Sequence, residues 1–180
     1  GAMSQELAEG CGLKGMEVAS HIPHGAAPWT LAQPEIDIIS LQNKITKADL
    51  PHLIKSETQI YFDETYSGHL KIYTDGSKNP DVGLVSSAVV IPTKKVTIVN
   101  RLTDFTSIYT AEMFSLDRAV SWVIENKPTK TAIFSDSLSS LVSIQSNNSR
   151  SRPEMLSKII INITYASTQA QRSHLCGAQL

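Results

Sequence analysis

The sequence is short of cysteine, carries no excess of either charge and has no long apolar run, and each shortage narrows what the chain can be. Cys11 and Cys176 are the only cysteines and lie far apart. Two distant thiols do not make a disulfide scaffold, so the expectation is an intracellular protein, cytoplasmic or nuclear, with free thiols. Sixteen Lys and Arg against seventeen Asp and Glu leave a formal charge of -1. That excludes a strong basic field over the whole surface and leaves room for local patches. No stretch reaches the roughly 18 consecutive apolar residues of a membrane-spanning helix, so no membrane partner is expected. Also missing are a Gly-rich phosphate loop, an internal repeat and the charged-then-apolar pattern of a signal peptide.

What is present suffices for one domain. The chain has 180 residues, of which 41% are hydrophobic, enough for a sizeable core. Residues 1–30 carry Gly10, Gly12, Gly15, Gly25, Pro23 and Pro28 without periodicity and read as a loosely ordered lead-in, with Gly1-Ala2-Met3 as a cloning remnant. Residues 31–66 hold Ile36, Ile38, Ile39, Leu41, Leu50, Leu53 and Ile54, interrupted by Pro34 and Pro51. They read as a linker packed on the domain, because proline stops a long helix. Residues 67–180 form the domain itself.

Within it, His69 to Thr74 alternates as a strand, Leu84 to Ile91 is a second, and Val96 to Val99 a third. Turn chemistry at Asn79-Pro80-Asp81 and at Pro92-Thr93-Lys94-Lys95 makes them an antiparallel meander. Ser107 to about Glu125 reads as a helix, and Thr131 to Phe134 as a strand running into a helix at Ser137. Strands first, then helix and strand, predict an α/β (α+β) domain with a mixed sheet. The segment around Lys158 to Tyr165 fits a helical face through Leu156, Ile159, Ile160 and Ile163, while its isoleucines also favour an extended strand; helix is the expectation.

Three acids stand at the junctions of these elements: Asp75 after the first strand, Glu112 in the helix, and Asp136 after the fourth strand. Glu112, Leu116, Ala119 and Val123 share one helical face, so a carboxylate heads the stripe that packs on the sheet. Each acid also has an ordinary reading. Asp75 would be a turn residue, Glu112 would complement the helix dipole, and Asp136 would be an N-cap. Two strand ends and the start of a helix packed on them can converge on one point, and three carboxylates there suggest a site for a hard divalent cation.

The segments Ile72-Tyr73-Thr74-Asp75-Gly76-Ser77-Lys78, Ser86-Ser87-Ala88-Val89-Val90, Ser107-Ile108-Tyr109-Thr110-Ala111-Glu112-Met113 and Ile133-Phe134-Ser135-Asp136-Ser137-Leu138-Ser139-Ser140-Leu141 resemble the type 1 ribonuclease H family. Within it they resemble the ribonuclease H domains of non-LTR retrotransposon polyproteins. The resemblance covers about residues 70–171 and implies a ribonuclease H-like fold. It further implies a metal-dependent endonuclease that hydrolyses the RNA strand of RNA/DNA hybrids. Asp75, Glu112 and Asp136 would be its catalytic, metal-ligating acids for Mg²⁺ or Mn²⁺, and Ser77 and Ser137 could touch substrate phosphates. Two ions are usual in the family, with Asp75 bridging both, and 2′-hydroxyl contacts would select RNA.

The last residues depart from the family pattern. A fifth strand and a helix with a fourth carboxylate are expected there, whereas this sequence has no Asp or Glu beyond Glu154. His174 and Gly177 are out of register with the family's His-and-Gly loop. Truncation of the domain, loss of the fifth strand, a weakened second ion site and impaired activity are therefore the expectation. A non-catalytic module is the alternative. Without its neighbour, the strand Thr131 to Phe134 would expose an edge open to self-association.

Overall fold

The computed structural model describes residues 35–37, 59–169 and 173–177; the lead-in at 1–30 and most of the linker at 31–66 lie outside them. The described residues belong to one compact unit, Ala32–Leu180.

The sheet is built outward from β2 (Leu70–Lys78), following β1 (Glu35–Asp37) in chain order. A two-residue alternation buries Ile72 and Thr74 on the helix side, as a strand with unequal faces requires. β3 (Val85–Ile91) and β4 (Val96–Leu102) continue it as an antiparallel meander, with Asp75 opposite Ala88 and Ala88 opposite Val99. A 3-10 turn at Pro92–Lys94 joins them, closed by Lys95 in the left-handed region at φ 53°. Both β2 and β4 run further than the sequence pattern suggested. In-register pairing carries β2 through Asp75 and Gly76 to Lys78, overriding the turn preference of Asp-Gly.

Before β2, residues 59–65 are helical (α1). The chain leaves β4 into α2 (Ile108–Asn126), where the Ser107 hydroxyl caps the helix by accepting the Thr110 N–H at 3.1 Å, one of the orphan donors of a helix start. It returns as β5 (Thr131–Ser135), parallel to β2 with Ile72 opposite Ile133. α3 (Leu138–Ser146) and α4 (Pro153–Gln169) follow. The isoleucine-rich segment is thus helix, with Leu156, Ile159, Ile160 and Ile163 buried; the period of the apolar face outweighs β-branched preference.

The expected loss of the fifth strand is corrected. Ser173–Gly177 forms β6, parallel to β5 with Phe134 opposite Cys176, and β1 pairs in parallel beyond it. The order is β1-β6-β5-β2-β3-β4. The short Ser-His-Leu-Cys-Gly run has little strand signature of its own and is extended by the ladder that β5 offers. β5 is therefore paired on both sides, which removes the premise of an exposed edge there.

β5 is also buried on both faces, which explains its continuous apolar run. Ile133 joins Ile72, Met113, Leu116, Val120, Leu141 and Ile159 in the core beneath the helices. Phe134 turns the other way into an aromatic cluster. Its ring lies 4.2 Å from that of Phe62 on α1, 5.2 Å from Tyr73 in a stacked arrangement, and 5.6 Å from Tyr66 edge-on. α1 thus covers the second face of the sheet at β5, anchored also by the Lys71–Asp63 ion pair.

Candidate metal centre

None of the three acids occupies the ordinary role its sequence context offers. Asp75 is inside β2, three residues before the strand ends. Glu112 is the fifth residue of α2, past the first turn, which holds no acid. Asp136 follows β5, and the cap of α3 is its neighbour Ser137, whose hydroxyl accepts the Ser140 N–H at 3.4 Å. Asp75, Glu112 and Asp136 instead meet: each offers a carboxylate oxygen, all within 4.8 Å of one another. Among the described residues no fourth acid, histidine or cysteine joins the group, and none of the three is in a salt bridge.

Gly76 makes the convergence possible. A Cβ there would lie 2.7 Å from the Glu112 backbone N, 2.8 Å from its Cδ and 3.0 Å from Oε1, so the Glu112 side chain occupies space that any other residue would fill. This is close approach requiring glycine, not a turn. The Gly76 N–H donates to the Glu112 carboxylate. Thr74 ties the neighbouring strands, donating its hydroxyl to the Phe134 carbonyl at 3.0 Å, so that β2 and β5 present their acids side by side.

The electrostatics are those of crowded like charges. Burial chiefly, then the nearby charge of Asp136 and that of Asp75, push the Glu112 carboxyl up from 4.5 to about 7, against the opposing effect of the Gly76 N–H. Burial and then Asp75 raise Asp136 as well. Glu112 Oε2 is buried with no hydrogen-bond partner among the described residues, an unsatisfied acceptor that costs free energy unless something compensates it. A hard cation with oxygen preference fits all of this: it would satisfy Oε2, neutralise the mutual repulsion and find the donors Mg²⁺ and Mn²⁺ take.

Of the two serines, Ser77 is exposed near the end of β2. Ser137 is engaged in capping and in hydroxyl contacts with Ser140 and Ser139 at 2.8 and 3.3 Å. His174 lies within β6. Sequence reasoning missed the packing role of Gly76; the signal was a glycine following an apolar run and a carboxylate.

A central parallel pair β2–β5, an antiparallel meander on one side, further parallel strands on the other, and acids near the carboxyl ends of β2 and β5 and early in α2 make an α/β mixed-sheet architecture consistent with the ribonuclease H-like fold that the resemblance implied. Among solved structures, the chain is similar to RNase H1 from the halophilic archaeon Halobacterium salinarum NRC-1, with 13% identity over 62% of this chain and 86% of that one and a TM-score of 0.48. No family model and no curated protein matches the chain.

Proposed function

We propose that this chain is a ribonuclease H-type endonuclease that hydrolyses the RNA strand of RNA/DNA hybrids, and that it derives from the ribonuclease H domain of a non-LTR retrotransposon polyprotein. The observation that carries the activity is the meeting of Asp75, Glu112 and Asp136 within 4.8 Å, at the positions where the motif resemblance puts the family's acids. The retroelement origin is supported by the order and spacing of the four motif segments.

Asp75, Glu112 and Asp136 would hold Mg²⁺ or Mn²⁺. When bound, such an ion supplies Lewis-acid polarisation and a nucleophilic water for phosphodiester hydrolysis. The protein's part is to fix the acids on two adjacent strands and one helix, so that little reorganisation accompanies metal or substrate binding. Exposed Asp75 and Asp136 open the cluster to solvent, which gives a phosphate access, while Glu112 is set deeper. Ser77 would meet a substrate phosphate beside Asp75; Ser137 could do so from the cap of α3.

The absence of a fourth acid from the cluster among the described residues favours a second reading, a hybrid-binding module that does not cut. A labelled hybrid with Mn²⁺ separates the two. RNA-strand cleavage by the parent and none by Asp75→Asn is the expected result. Equal cleavage by both would assign the activity to a contaminant, and none by the parent would leave the binding module.

A further inference from the structure

One aromatic side chain is displayed to solvent where a fold would ordinarily bury it. Phe105, in the loop between β4 and α2, is 78% exposed and has a backbone φ of 63°, a region that bulky residues avoid and that persists only when surroundings enforce it. The enforcement is visible. The Phe105 N–H donates to the Gly83 carbonyl at 2.9 Å. The Thr103 carbonyl accepts from the Thr106 N–H at 3.2 Å and from its hydroxyl at 2.6 Å, closing the loop beneath Phe105. The ring lies over Gly83, where a Cβ would come within 2.8 Å of it. Gly83 is itself at φ 69°, so two unusual backbone conformations hold one ring at the surface.

The placement gives this a direction. Gly83 belongs to the β2–β3 turn, with Asn79 bonded to Leu84 across it. That turn lies about 10 Å beyond Asp75 along β2, at about 3.3 Å per strand residue. Phe105 leads directly into Ser107 and the start of α2, about 8 Å along the helix from Glu112 at about 1.5 Å per residue. The ring therefore stands at the carboxylate end of the sheet, beyond the end of β2 and so at least about three base-pair steps from Asp75 at about 3.4 Å each. Exposed Val82 and Leu84 flank Gly83 in the chain, exposed Ile108 begins α2, and exposed Lys78 stands at the end of β2.

We infer that Phe105 is a substrate-positioning residue that packs its ring on the sugar and base-edge surface of the nucleic acid flanking the scissile phosphate. This rests on the reading above that the chain engages RNA/DNA hybrids. An apolar contact made chiefly with the sugar tolerates any sequence, because every nucleotide presents one, which suits a nuclease that selects strand type over sequence.

The test uses the full chain with a labelled RNA/DNA hybrid. Phe105→Ala should raise KM about five- to tenfold, the low end for loss of an aromatic–nucleotide contact, with kcat changed less than twofold, and Phe105→Trp should restore KM. A photoreactive benzoylphenylalanine at position 105, in the Asp75→Asn background, should crosslink to the hybrid. An unchanged KM in Phe105→Ala, a Trp variant no better than Ala, or no crosslink to nucleic acid would each overturn the inference, the last also covering a rim made for a protein partner. Cleavage by the parent with no effect at Phe105 sinks this inference and spares the nuclease reading. A crosslink without any cleavage by the parent does the reverse.

Discussion

Replacing Glu112 by Gln should stabilise the metal-free protein at pH 8 and leave it little changed at pH 5. The Glu112 carboxyl ionises at about 7 in the folded chain against 4.5 without the fold. Its protonated form is therefore favoured by folding. Below pH 4.5 the group is protonated in both states and contributes no penalty; as pH rises toward 7 the unfolded chain releases the proton first, and folding stability falls. Above 7 the penalty is complete. At about 1.4 kcal/mol per tenfold change in protonation, the ceiling is about 3 kcal/mol. The exposed acids Asp75 and Asp136 open the cluster to water, which screens the repulsion and trims the expected effect to about 2 kcal/mol. The Gln amide keeps the shape and can donate to either neighbouring carboxylate. Urea and thermal unfolding in EDTA would read the difference, about 4–8 °C in Tm for a domain of this size. Mn²⁺ at ten times its Kd should then stabilise the parent at pH 8 by about 1.4 kcal/mol and the variant far less. A Gln variant less stable than the parent at pH 8 in EDTA, or a difference independent of pH, would refute the picture of a buried, repelled carboxylate.

Two substitutions address the scaffold. Gly76→Ala should cost about 1–3 kcal/mol through overpacking and remove metal-dependent activity, since the new Cβ would meet the Glu112 backbone N at 2.7 Å; a variant with parental Mn²⁺ response and activity would show that the approach is slack. Phe62→Ala should destabilise by about 3 kcal/mol, because Phe62 is 5% exposed and 4.2 Å from Phe134; an effect below about 1 kcal/mol in urea unfolding would mean that α1 adds little to the fold.

Much of the site was legible because its acids follow local patterns. Asp75 and Asp136 end apolar runs, and Glu112 heads a helical stripe, so each could be placed on an element without knowing the others. Their joint meaning was less legible, since each had an ordinary reading as turn, dipole partner or cap. β6 was illegible for a different reason. Ser173–Gly177 has little alternating or β-branched character, and a strand of five residues at the side of a sheet is specified by the ladder it joins. Residues 59–66 gave the converse problem: their aromatics were visible, but that Phe62 and Tyr66 close on Phe134 depends on which way β5 faces.

The sequence by itself determined the antiparallel meander, α2 and β5 and favoured helix for the isoleucine-rich α4, because apolar periodicity and turn chemistry act over a few residues. It also determined that three acids fall near the ends of these elements. Only the tertiary structure decided that β2 continues through Asp75, that Ser137 and not Asp136 caps α3, and that the three carboxylates come within 4.8 Å. Those outcomes depend on strand register and on the space left by Gly76, which arise between segments distant in the chain. The position of Phe105 belongs to the same class: a ring held at the surface by Gly83, more than twenty residues earlier, is a property of two loops folded together and of neither alone.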